Sequence, residues 1–178
     1  SNKFSTFKLW YKSEMLPTEQ FIKIQINFME LFCYPFSTQR AKSIASALEK
    51  KKFLFLFPEE NKLLSSPEIR CYSLKEIMLE KYRAILTRRS VKARDFIDIF
   101  LMVQEEKIDP NILREKIIAK TGFMLQYDKY LQNLNSFELE EFVLGEEEKL
   151  LLTVLPRGFP SFLKETHEFV IYLWKELQ

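Results

Sequence analysis

Between Leu79 and Phe100 the chain reads LEKYRAILTRRSVKARDFIDIF, and this run holds its most reactive groups. Lys81, Arg83, Arg88, Arg89, Lys92 and Arg94 arrive with no acid among them, and Asp95 and Asp98 follow in an apolar stretch. Cations at that density suit phosphate, whose oxygens accept charge-assisted hydrogen bonds from ammonium and guanidinium groups. Two carboxylates three residues apart share one helix face, where they can orient a lysine or do acid–base work. The same residues also suit a buried ion-pair network stapling two helices, with Arg94 and Asp98 as an i,i+4 pair. Spacing alone leaves both readings open.

The elements that must position these groups follow from capping and periodicity. Ser73-Leu-Lys-Glu76 matches a capping box, so a helix starts there and should run to about Thr87. On a helical wheel Leu74, Ile77, Met78, Ala84 and Ile85 form an apolar stripe with Lys81 in its middle. Its stem can lie on the core while the ammonium reaches water, or the charge can meet a partner. Ser90 is placed to cap a second helix reaching about Gln104, apolar nearly all round from Phe96 to Val103 and therefore buried. Asp95 and Asp98 fall in its first turns, where the helix dipole favours acids. The short link predicts an antiparallel hairpin that brings Lys81 to the two aspartates. Asp109-Pro110 starts a third helix, and Phe137–Leu144 and Pro160–Leu177 read as two more.

Before Ser73 the pattern is that of strands. Ile22, Ile24, Ile26 and Phe28 alternate with Lys23, Gln25 and Asn27, as in a half-buried strand. Phe7–Lys12 gives a shorter alternation, and Leu16-Pro17-Thr18 suits a turn between the two. Phe53–Phe57 reads as a strand covered on both faces and stopped by Pro58, Ile69–Tyr72 as a brief strand, and Thr38–Lys51 as a short helix. The expected fold is α+β, with a β-rich portion at 1–72 and a helical domain at 73–178 carrying Lys81, Asp95 and Asp98.

Composition narrows the classes. With 27 basic and 25 acidic residues the net charge is near zero, so affinity for a polyanion must come from a local patch. Cys33 and Cys71 follow no metal-ligand spacing, and the single histidine, His167, excludes a histidine-pair zinc site and reads as structural. No Gly-rich phosphate loop or nucleophile elbow occurs. The acidic segment with Glu138, Glu140, Glu141 and Glu146 to Glu148 reads as a solvated face. No apolar run approaches the ~18 residues of a membrane span, and a cytoplasmic protein without a membrane partner is expected.

The order of Tyr72, Ser73, Glu76, Glu80, Lys81, Arg83, Ala84, Arg94, Asp95 and Asp98 resembles the signature of the AbiEii-type nucleotidyltransferases. These are the toxin components of abortive-infection and type IV toxin–antitoxin systems. The resemblance implies a nucleotidyltransferase-like mixed sheet followed by a helical C-terminal region. It implies transfer of a nucleotide from NTP, with Mg²⁺, onto an RNA or protein acceptor, tRNA in some relatives, and a cognate antitoxin as partner. By the same resemblance Lys81, Asp95 and Asp98 take catalytic positions. Arg88, Arg89, Lys92 and Arg94 contact nucleotide or acceptor.

The chain departs from that pattern in its β-rich portion, at three features. The family's earlier Gly-Ser or Gly-Gly-Thr turn and Asp-x-Asp strand are not found. Gly122, Gly145 and Gly158 all follow the signature, and Gln25 stands where a third acid is expected. The opening Ser1-Asn2 reads as a remnant of tag cleavage. The expectation is therefore an incomplete palm with no metal ligands of its own and no cofactor requirement, inactive as it stands. The alternative is a non-catalytic module of the same fold that binds nucleotide, nucleic acid or a partner.

Overall fold

The computed structural model describes residues 4–14, 17–43, 47–90, 92–137 and 156–178. Two compact units divide the chain, Ser1–Phe32 and Cys33–Gln178.

The first unit is a ribbon. Strands β1 (Phe4–Lys12) and β2 (Glu19–Asn27) pair antiparallel, with Phe7 opposite Ile24, Leu9 opposite Ile22 and Trp10 opposite Phe21. Alternation therefore puts Phe7, Leu9, Ile22, Ile24 and Ile26 on one face, as the sequence predicts. That face is not half-buried: Ile22 is 55% exposed and Leu9 equally so.

The second unit begins with β3 (Ser37–Arg40) and β4 (Glu68–Cys71), an antiparallel pair running from Ser37 opposite Cys71 to Arg40 opposite Glu68. Between them lie α1 (Lys50–Leu56) and a 3-10 segment, Pro58–Leu64. Two local expectations change here. Thr38–Arg40 is strand, not helix, because β4 satisfies its backbone. Phe53–Leu56 is helix, not strand. A strand apolar on both faces needs cover on both, yet Phe55 is 85% exposed and only Phe53 is buried. Lysine and leucine then favour the helix, in which Phe53 and Phe57 meet with ring centroids 5.4 Å apart. Among the described residues the strands make two antiparallel pairs, so the α+β class stands while no parallel pairing occurs.

Among the described residues five helices build the core: α2 (Leu74–Thr87), α3 (Ala93–Glu106), α4 (Arg114–Leu125), α5 (Asp128–Asn135) and α6 (Phe159–Glu176). Ser73 caps α2 by accepting from the Glu76 amide at 3.3 Å. α3 begins later than Ser90 would set it. Its N-cap is Lys92, with no side-chain bond, and Asp95 supplies the first-turn negative charge. It ends at Glu106 because Lys107 turns left-handed, φ 53°. Asp109 caps a 3-10 turn, Pro110–Leu113, that leads into α4.

α2 is the central helix, touching α3, α4, α5 and α6. Its buried face is accordingly wider than a single stripe and centred elsewhere. Met78, Leu79, Tyr82, Ile85 and Leu86 are almost fully buried, while Leu74 is 41% exposed. Phe96, Ile99 and Phe100 of α3 and Phe159, Phe162, Val170 and Leu173 of α6 complete the core. Edge-on ring pairs such as Phe100–Phe159, 5.3 Å at 87°, order the α3–α6 contact. The expected helix at Phe137–Leu144 and the acidic segment after it lie outside the described residues, apart from Phe137, which packs on the core. Among the described residues no helix is long and apolar enough to cross a membrane.

Candidate functional site

The hairpin α2–α3 brings together the residues that the sequence singles out. Lys81 Nζ donates to Asp95 Oδ1 at 3.1 Å and also contacts Asp98 Oδ2. Arg88, just past α2, donates through Nη1 to the other Asp95 oxygen, Oδ2. Later residues of α2 meet earlier residues of α3, Arg88 with Asp95 and Lys81 with Asp98, as an antiparallel hairpin requires. Asp95 is the enclosed member at 1% side-chain exposure, whereas Lys81 keeps 23% and Asp98 44%. The cluster is thus closed on the Asp95 side and open on the Asp98 side.

Burial works against the charge on Lys81, but its hydrogen bonds to Asp98 and Asp95 and the attraction of both carboxylates outweigh it. Its pKa stands above the usual 10.5. Lys81 is therefore an ammonium at any physiological pH, an electrostatic group and not a base.

The remaining predicted contacts are placed differently. Arg89, Lys92 and Arg94 are exposed around the start of α3 and carry no ion pair among the described residues. The expected Arg94–Asp98 pair is not formed, since Asp98 turns to Lys81. Arg88, Arg89, Lys92 and Arg94 together make the connection a cationic rim next to Lys81.

A second polar cluster lies on another face of α2, and one of its members escaped the sequence reading. Lys120 of α4, with no exposed surface, lies 2.6 Å from Glu76 Oε1 and 2.6 Å from Glu80 Oε1. Glu80 Oε2 accepts from Arg83 at 2.6 and 3.1 Å, and Arg83 reaches Thr87 Oγ1 at 3.4 Å. Glu76, Glu80, Arg83 and Thr87 follow the i, i+4, i+7, i+11 rhythm of one helix face. Glu76 does not return to the cap as a capping box would have it. Its Oε2 accepts from the amides of Cys33 and Tyr34 at 3.1 and 2.9 Å. The signal for Lys120 was present in the sequence. It lies three residues after Ile117 and four before Met124, both buried, and so sits on the same apolar face.

His167 is half-buried with its ring 5.5 Å from that of Phe96, and burial lowers its pKa. A cavity of about 420 Å³ opens beyond the end of α3, lined by Tyr82, Val103, Asp109, Phe162, Glu165 and Phe169. None of the Lys81 cluster lines it.

The donor sets do not fit a divalent metal. Mg²⁺ needs several carboxylate oxygens free to ligate it, yet both oxygens of Asp95, Glu76 and Glu80 are engaged by cations or amides, and Asp98, with Oδ2 on Lys81, is left to offer one alone. No group of three His, Cys, Asp or Glu among the described residues is arranged to hold one.

What the geometry defines is an α+β protein with a helical hairpin that locks a lysine between two aspartates beside a cationic connection. The sequence model described as nucleotidyl transferase AbiEii toxin, type IV TA system, matches residues 1–169, and the chain belongs to that family. Comparison with curated proteins gives no match, and comparison with solved structures gives none either.

Proposed function

We propose that this protein transfers a nucleotide from NTP onto an RNA acceptor, tRNA being the leading candidate, and that the α2–α3 hairpin handles the phosphates. Family membership carries the reaction class. The observation that carries the hairpin's role is the fixing of the Lys81 ammonium by Asp95 and Asp98 at a partly open position beside Arg88, Arg89, Lys92 and Arg94. Nucleotide transfer separates charge between the attacked phosphorus and the departing pyrophosphate. Cations held in place before reaction stabilise that charge without having to reorganise. Lys81 is the group placed to do so. Asp95 positions it from the enclosed side, and Asp98 holds it from the solvent side. The rim arginines and Lys92 take the outer phosphates or the acceptor backbone. The metal that such transfer generally uses would need ligands beyond those described. A cytoplasmic setting follows from NTP and RNA as substrates, and a cognate antitoxin is the partner implied by the toxin family.

The second reading is a binding module without turnover. It is favoured by the neutralisation of every cluster carboxylate by a lysine or arginine.

Incubating the folded protein with each radiolabelled NTP, Mg²⁺ and total RNA tests both. Labelled RNA that disappears with Lys81→Ala supports transfer at this hairpin. Saturable NTP or RNA binding with no label under any nucleotide supports the second reading. Neither binding nor labelling by a correctly folded protein sinks both.

A further inference from the structure

The β1–β2 ribbon has a second face, which the hairpin reading does not use. Register places Thr6 with Gln25, Lys8 with Lys23, Trp10 with Phe21 and Lys12 with Glu19 on successive rungs of it. Trp10 is 58% and Phe21 43% exposed, and their rings sit 4.9 Å apart. Lys8 Nζ hangs 4.6 Å from the Phe21 ring centre and 5.6 Å from that of Trp10. The exposed aromatic rung thus lies between a double-lysine rung, Lys8–Lys23, and the mixed rung Lys12–Glu19 at the end of the face.

Two features of this arrangement are costly unless something binds there. Lys8 and Lys23 are direct cross-strand partners, and like charges placed opposite each other destabilise a ladder. Two large rings are also left in water. A polyanion with flat bases relieves both at once. Rungs on one face of a strand repeat every ~6.8 Å, a step comparable to that between successive phosphates of an extended single strand.

We infer that the Trp10/Phe21 face of the ribbon docks single-stranded nucleic acid, with a base stacked on the aromatic rung and phosphates on Lys8 and Lys23. Unpaired bases are needed because a duplex hides their π-faces within its own stack. The surface belongs to the first compact unit and stands or falls separately from nucleotide transfer at the hairpin.

The test is direct binding of the full chain to dye-labelled 12-mers of U and of dT, and to an RNA duplex, by anisotropy and tryptophan quenching. Quenching reports Trp10, because the Trp174 Nε1 donates to the Leu134 carbonyl and its ring packs on the core. Single strands are expected to bind and quench, with U and dT separating RNA from DNA preference and the duplex at least tenfold weaker. Trp10→Ala should weaken binding by about 5- to 150-fold, the range for removing one base stack. Trp10→Phe, which keeps a π-face, should retain most of it. Lys8→Ala with Lys23→Ala should cut the slope of log affinity against log salt by about 1.4, the value for two phosphates. Unchanged affinity in these variants overturns the inference, as does duplex binding equal to single-strand binding or a loss in Trp10→Phe as large as in Trp10→Ala. NTP binding measured in the same variants should not change, which separates this surface from the hairpin.

Discussion

The ammonium of Lys120 lies 2.6 Å from Glu76 Oε1, across 44 positions of sequence, with both side chains out of contact with water. Glu80 meets the same ammonium, so one buried cation is shared by two carboxylates that sit one turn apart on α2. Such a centre does no chemistry on a substrate. It ties α4 to α2 and fixes the rotation of the helix whose other face carries Lys81.

Removing Lys120 should therefore damage stability severely. Lys120→Met keeps the bulk but leaves Glu76 and Glu80 buried against each other, and breaking a buried pair this way costs about 3–5 kcal/mol. Urea unfolding followed by circular dichroism reads this as a large drop in midpoint at constant slope. A drop below about 1 kcal/mol would show that water already reaches the pair.

The Lys81 cluster should respond in the opposite manner. Lys81→Met leaves Arg88 on Asp95, so the enclosed carboxylate keeps a cation. Stability should fall by only about 1–2 kcal/mol, the scale of a charged hydrogen bond, while NTP binding falls at least tenfold. Intact binding with a destabilisation as large as that of Lys120→Met would make Lys81 a staple.

Stability should hold a plateau between about pH 6.5 and pH 10 and fall on either side. Lys81 has a folded pKa above 10.5, so its contribution is complete below that value and is lost as pH climbs through the higher one. Tyr82 acts in the same sense. Burial raises its pKa above 10.0, helped by the nearby Asp109 charge and opposed by its Thr166 hydrogen bond, so the unfolded phenol ionises first in alkali. His167 works at the acid end. Its pKa is lowered from 6.5 by burial, so below that value the unfolded imidazole takes a proton that the folded one refuses. Midpoints of urea unfolding against pH check all three, and His167→Gln should remove the part of the acid fall that lies just below pH 6.5.

Replacing Arg89, Lys92 and Arg94 together by Gln should leave thermal stability within about 0.5 kcal/mol, as for other exposed positions. If the connection grips the acceptor, the salt slope for RNA binding drops by about 2, roughly 0.7 for each phosphate no longer neutralised. An unchanged slope would assign these cations to solubility alone.

Periodicity was legible wherever one partner decided the structure. Ile22, Ile24 and Ile26 alternate with polar residues and lie in β2, Ser73 caps α2, and Lys81 meets Asp95 and Asp98 across a short link. It misled where several partners or none decided. Phe53–Phe57 looks like a covered strand, but no cover exists among the described residues and the segment coils. The apolar stripe of α2 was misplaced because four helices surround it, which a wheel drawn for one partner cannot represent. Spacing places Lys120 on the apolar face of α4, but its partners lie 40 and 44 positions away and no pattern within one helix shows them.

The carboxylate of Glu76 joins chain segments that are far apart, 42 and 43 residues to Tyr34 and Cys33 and 44 to Lys120. Each of these bonds forms only once its own long loop has closed, and loop closure is a cost that a folding chain must absorb before such pairings reward it. The knot should accordingly assemble late, after the α2–α3 hairpin, whose partners are neighbours in sequence. Glu76→Gln should then hasten unfolding far more than it slows refolding, so that chevron plots move on the denaturing limb alone. Glu76 would in that case govern how long a folded molecule lasts, with little influence on how quickly it is made.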